Sequence, residues 1–396
     1  MYDPDETPEV PTLSAEAFER IQTALSERGT AAAASQLAIE LQEMGDLNAL
    51  FYSHLLEKRV ALGVSPFPAG PAAELPEAVH EEYEMAIRQA ARTVGAQYLA
   101  NHDIRSAWTF FNMLGEQEPV KEYLERLELT DADDPSPIID VALYQGAYPE
   151  KGFDVVVQRY GICNAITTYS NQDFSQQPWV KQHAIRTLVR ELHAQLLERL
   201  RADAKERQLE APEPAGIPEL IASFPQIFGE DAYHIDTSHL SSICQFSLDL
   251  EPCSERQLAR ELCMYGETLS EGFRYPNDPP FENTYHDYRI LLQVVDGIDV
   301  EAGLQHFAAK IEPGLADGNS LPAEVYVNLL LRLNRDQEAL ESAKKYLSGQ
   351  NRPLSCPSVY ELCQRAGDYA GMAEAARQRG DGVTFLAALI TANQSK

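Results

Sequence analysis

Between residues 285 and 381 the chain repeats one local plan three times: an apolar helix, a short turn built on Gly or Asn, and a second helix running back. The turn residues are Gly297, Asn334 and Gly367, 37 and 33 positions apart. An amphipathic helix that reverses into a second one must bury its apolar stripe against that partner and against the next pair, which leaves few possible folds. The middle pair shows the pattern best. Val325, Tyr326, Leu329, Leu330 and Leu333 recur at the i, i+3, i+4 spacing of a helix with one buried face. Asn334 tolerates the left-handed conformation that ends a helix, and Asp336 is placed to cap the next. The return helix carries Leu340, Ala343, Tyr346 and Leu347 on one side, with Ala339 where antiparallel helices can approach closely. The preceding pair is predicted over 285–296 and 300–310, with Asp299 as its cap. The following pair is predicted over 357–366 and 369–378.

The Asn334/Ala339 and Gly297/Ala302 spacings and the Gly367-Asp368-Tyr369 turn resemble the tetratricopeptide repeat family, whose unit is about 34 residues. The resemblance covers roughly the last quarter of the chain; the family's Trp, early Leu-Gly and closing Pro positions are not matched. It implies a binding scaffold with a concave face and no reaction. In that family the first helices of successive pairs line the concave face, which singles out Tyr288, Tyr326 and Tyr360 as partner-binding candidates, with core packing as the competing role for each.

The remaining sequence supports an all-α fold: antiparallel helix hairpins stacked as an α-α superhelix, in two halves. Strand signals are scarce, and 44% apolar residues suffice for a real core. The expected organisation is an acidic tail at 1–12, disordered because Pro and carboxylates dominate it, then an N-terminal helical region at 13–209. A Pro-rich linker at 210–218 and a C-terminal repeat region at 219–396 follow. Ser14 is expected to cap the first helix. The Gly45-Asp46 turn looks like Gly367-Asp368, so the repeat plan extends into the first half. The Pro-rich stretch 65–76 is a loop, with Phe67 able to anchor it across the helices. A long helix is expected from 179 to about 209, with Ile185, Val189, Leu192 and Leu196 as its stripe and interleaved charges on its solvated face.

Charge narrows the partners. Thirty-two Lys and Arg against 61 Asp and Glu give a net charge of −29. Such a field opposes nucleic acid and anionic membrane surfaces and favours basic partners, or simply solubility. The six cysteines form no C-x-x-C pair and read as small core residues, Cys163 included, in a reducing compartment. The N-terminus lacks the basic and apolar regions of a signal peptide, so the expected localisation is cytoplasmic.

Chemistry-bearing patterns are few. No phosphate-binding Gly-rich loop, dinucleotide fingerprint or nucleophile elbow is present, and no cofactor is implied. One constellation deserves weighing: His234, Asp236 and His239 put two imidazoles and a carboxylate within six residues, with His286 further along. A zinc or iron site needs such groups to converge on one point. The bland alternative is a helix cap at Asp236 flanked by hydrogen-bonded histidines. The leading expectation is therefore a non-enzymatic scaffold binding another polypeptide, and the alternative a helical metal-dependent enzyme around 234–239.

Overall fold

The reversals expected from the sequence rest on backbone geometry that few residues adopt. Gly297, Asn334 and Gly367 have φ of 77°, 58° and 66°, the left-handed region where a chain leaves one helix and turns into the next. The computed structural model describes residues 12–68, 75–209, 215–229, 232–348 and 353–394. All but residue 12 of the expected tail, and 210–214 of the expected linker, lie outside the described residues. Among the described residues every regular element is helical, and no helix is long and apolar enough to cross a membrane.

The chain divides into two compact units, residues 1–159 and 160–396. In the first, α1 (Ala15–Arg28), α2 (Thr30–Met44), α3 (Leu47–Ala61), α4 (Glu77–Ala100), α5 (Ile104–Leu114) and α6 (Glu118–Arg126) each pack on the helix before. Ser14 caps α1 as expected, accepting from the Ala17 amide at 3.1 Å. Gly45, at φ 80°, is followed by Asp46, which accepts from the Ala49 amide at 2.8 Å. Asp368 after Gly367 does the same for Gly371 at 2.8 Å, so one turn device serves both units. Leu47, Leu50, Phe51, Ala91, Val94 and Phe110 form the core between α2 and α5. Phe67 does not anchor the Pro-rich loop across the helices. It is exposed, and Arg59 holds the segment by donating to the carbonyls of Ser65 (2.6 Å) and Phe67 (3.4 Å). The short α7 (Ser136–Ile139) widens into a π turn over Asp140–Tyr144, and α8 (Pro149–Asn171) is kinked at Gly161 (φ 77°), beside the division between the units.

The expected division at 210–218 is not where the packing divides. Helix α9 (Pro178–Glu206) buries nine side chains from Val180 to Ala204 and packs against α11 (Thr237–Ser247) and α12 (Glu255–Thr268), beyond the proline-rich segment. Burial joins helices that the proline-rich stretch separates in sequence, and Pro218 itself lies in the first turn of the next helix. Between them, α10 (Ile217–Ser223) touches both α9 and α12. Three basic residues in or next to α9 are engaged within the same unit: Arg207 pairs with Asp203, Arg190 with Glu255, and Arg199 donates to the His234 carbonyl.

The three expected pairs follow: α13 (Thr284–Val295) with α14 (Val300–Ala308), α16 (Leu321–Arg332) with α17 (Asp336–Tyr346), and α18 (Val359–Ala366) with α19 (Tyr369–Arg379). An extra short helix, α15 (Ile311–Ala316), sits between the first two pairs, which explains the longer spacing from 297 to 334. α20 (Gly382–Gln394) packs on α19. Leu304, Phe307, Val327, Leu330, Leu340, Ala343 and Cys363 join the pairs into one core. Two expected caps are corrected. Asp299 is at the N-cap of α14 but takes a left-handed conformation and makes no side-chain cap, and Asp336 is already the first residue of α17. Cys163 is exposed, because the buried stripe of its helix runs through Ile162, Ala165 and Tyr169 and leaves the next position facing out.

Candidate functional site

Helix α16 has two working faces. Ala323, Val327 and Leu330 are buried in the core shared with α17. Val325, Asn328, Leu329 and Arg332, again spaced i, i+3, i+4, i+7, line a cleft of about 480 Å³. Leu291 of α13, Phe281, Pro357 and the loop residues Leu248 and Asp249 complete its walls. A second cleft of about 360 Å³ continues it, sharing Asp249 and Arg332 and adding Leu250, Glu251, Pro252, Arg256 and Val295. The first helices of two consecutive pairs thus contribute to one largely apolar groove.

The lip of that groove, loop 248–252, is tied down by side chains of three helices, α9, α12 and α16. Arg332 donates to the carbonyls of Leu248 (2.7 Å) and Leu250 (2.8 Å). Arg256 reaches the Leu250 carbonyl through Nε (3.0 Å) and Nη2 (2.6 Å), and through Nη1 it reaches the Val295 carbonyl and Asp296. Gln182 donates to the Asp249 carbonyl and accepts from the Glu251 amide, both at 2.8 Å. Lys181 pairs with Asp249 at 2.5 Å. Burial lowers the proton affinity of both guanidiniums, and Arg256 adds to the effect on Arg332. Both guanidiniums are held in place by carbonyl oxygens, which fixes the loop against α12 and α16. On the other side Glu324, fully buried, accepts from the Ser355 amide (2.7 Å), the Ser355 hydroxyl (2.9 Å) and the Ser320 hydroxyl (2.9 Å), and Asn328 donates to the Ser355 carbonyl at 3.0 Å. These bonds lay the segment before α18 along α16.

The three tyrosines do not line this groove. Tyr288 is 2% exposed, its hydroxyl bonded to Asn277 at 2.9 Å and its ring edge-on to Phe281, and burial raises the pKa of its phenol. It is a core residue, and the expectation that it meets a partner is corrected. Tyr326 follows Val325 and is turned about 100° away from it around the helix; it is half-buried near Arg335 and Glu338. Tyr360 is half-buried beneath the Arg379 guanidinium, 5.5 Å from its ring centre. Four of the groove residues, Leu291, Val325, Leu329 and Pro357, sit one or three positions away from these tyrosines. Leu329 and Leu291 also belong to the core, so in sequence the groove residues carry no mark that sets them apart from core positions.

His234, Asp236 and His239 are not brought together. The His234 ring is bracketed by the Tyr265 hydroxyl, 3.2 Å from Nδ1, and by Asp203, 3.1 Å from Nε2, and its amide donates to the same tyrosine at 2.7 Å. Burial pushes the Tyr265 phenol up to about 12. Asp236 caps α11, accepting from the Ser238 hydroxyl (2.5 Å) and the amides of Ser238 and His239, which holds its carboxyl below the usual range. His286 lies against Arg289 and Glu267. Among the described residues no three His, Cys, Asp or Glu side chains are placed to hold a metal ion. A buried carboxylate the sequence did not single out is Asp287, which binds His306 (2.6 Å), Lys310 (2.9 Å) and the Asn283 amide (2.9 Å) and locks α14 to α13. No family model, no curated protein and no solved structure matches this chain.

Proposed function

We propose that the chain is a non-enzymatic, tetratricopeptide-like helical-repeat scaffold of the cytoplasm, its hairpins stacked as a superhelix, and that it binds another polypeptide in the groove across α13 and α16. The observation that carries this reading is the pairing of apolar walls from consecutive first helices with a lip already fixed by Arg332, Arg256 and Gln182. Pockets of this kind suit an extended or helical segment that inserts a few apolar anchors and leaves its backbone to polar groups at the rim. The net charge of −29 favours a partner with basic flanks.

The test is affinity capture with the purified chain and with Val325→Glu, which sets a charge on the half-buried groove wall. A partner lost with Val325→Glu and kept with Ile39→Glu, an exposed position in the other unit, supports the groove. A partner held equally by both variants removes it.

A further inference from the structure

A separate cleft of about 590 Å³ opens where the end of α8 and the start of α9 meet α11. Tyr169, Phe174 and Phe246 line it, and the Tyr169 ring centre stands 5.3 Å from that of Phe174 and 4.4 Å from that of Phe246. Tyr169 is only 8% exposed, and its hydroxyl has no hydrogen-bond partner among the described residues. Burial, with Asp249 nearby, raises its pKa, so the phenol stays neutral and keeps both a proton to give and lone pairs to offer. Buried hydroxyls ordinarily find a partner, and this one belongs to the wall of a cleft.

The charges around the cleft do not balance. Lys181 lines it but pairs with Asp249 at 2.5 Å, so those two cancel. Asp173, exposed on the same wall, meets no cation among the described residues. The Ser175 amide donates to it at 2.9 Å and the Ser175 hydroxyl binds it too, which holds its carboxyl below the usual range and keeps it ionised at neutral pH. We propose that this cleft binds a guanidinium group, laid against the aromatic wall, with Asp173 and the Tyr169 oxygen accepting its N–H groups.

The wall selects the class. Asp173 and a net charge of −29 repel anions, and a neutral ring would leave the carboxylate unanswered. Between cations, an ammonium is compact, strongly hydrated and donates in three directions. A guanidinium is planar and more weakly hydrated; it stacks on rings and donates within its own plane, toward a carboxylate at the rim. The group could be carried by an arginine in a polypeptide or by a small free guanidino compound. The site does not depend on what the groove across α13 and α16 binds.

The test is titration of the full chain with N-acetyl-arginine N-methylamide, followed by nuclear magnetic resonance at the Asp173 and Ser175 amides and the Tyr169 and Phe246 rings. Saturable shifts with a dissociation constant of about 1 mM are expected. The citrulline analogue, of the same shape but uncharged, should not saturate, and the lysine analogue should bind several-fold more weakly. Asp173→Asn, on an exposed loop, and Phe246→Leu should each weaken arginine binding about three- to five-fold. Methylguanidinium separates the sources: tighter binding of the blocked arginine assigns the site to arginine in a chain, and equal or tighter binding of methylguanidinium to a free compound, and both uphold the inference. No saturation by either probe, citrulline binding as well as arginine, or arginine binding unchanged in both variants overturns it.

Discussion

Replacing Gly266 by Ala sets two effects of opposite sign against each other. Gly266 lies in α12, where an alanine would ordinarily add up to about 1 kcal/mol of helix stability. Its Cβ would stand 2.4, 2.5 and 2.6 Å from three ring carbons of Tyr285 on α13. Carbon atoms prefer roughly 3.5–4.0 Å, so the ring would have to retreat by about 1 Å. It has nowhere to go. Tyr285 is 1% exposed, and Cys244, Cys263, Tyr275 and Tyr288 lie around it. Overpacking of this kind costs about 1–3 kcal/mol, and contacts this short belong at the upper end. Packing therefore wins, with a net loss of about 2 kcal/mol, or a melting temperature roughly 4–8 °C lower for a unit of this size. Thermal unfolding followed by circular dichroism measures it. The decisive comparison is the same change in a Tyr285→Ala background, where Cγ and the ring are gone and Gly266→Ala should become neutral or stabilising. A higher melting temperature for Gly266→Ala alone, or the same effect in both backgrounds, would refute the argument.

Three further outcomes are expected. Glu324→Ala removes a fully buried acceptor that Ser355 and Ser320 bind, and loss of these bonds should lower stability by about 1–3 kcal/mol, with early hydrogen exchange at the Ser355 amide; an unchanged urea midpoint would count against it. Arg332→Ala removes two bonds to loop 248–252, and the Glu251 amide should lose exchange protection while the α17 amides keep theirs. The Glu40 carboxyl, bound chiefly by Arg20 through contacts of 2.7 and 2.5 Å and then by Gln36, is held down to about 2. A depressed carboxyl adds stability that is fully present above its unfolded value near 4.5 and is lost as the pH falls toward 2. Arg20→Gln should flatten the pH dependence of exchange in α1 and α2 across that window, and identical profiles for the two proteins would contradict it.

Much of the architecture was legible in local pattern. The i, i+3, i+4 spacing of Tyr326, Leu329 and Leu330 and the left-handed positions at 297, 334 and 367 are set by residues a few places apart, and the helices of the three pairs fall within a few residues of where these rules put them. The groove was legible only in outline. Val325 and Tyr326 are adjacent and both apolar, and nothing local says which one faces the cleft. The stretch 210–218 shows the same limit: proline and glycine there are a local mark, while the stripe on α9 packs against α11 and α12 beyond it.

The sequence alone determined that this chain is helical, where it reverses, and that it carries a large negative charge, because dihedral preference, side-chain periodicity and ionisation are properties of single residues and near neighbours. The tertiary structure decided what each face meets. His234 finds Asp203 and Tyr265 each 31 positions away, Asp287 finds His306 on the next helix, and Arg332 reaches back 84 and 82 positions to the carbonyls of Leu248 and Leu250. Such pairings are fixed by how helices rotate against one another when their apolar stripes close, a choice made by the whole core at once.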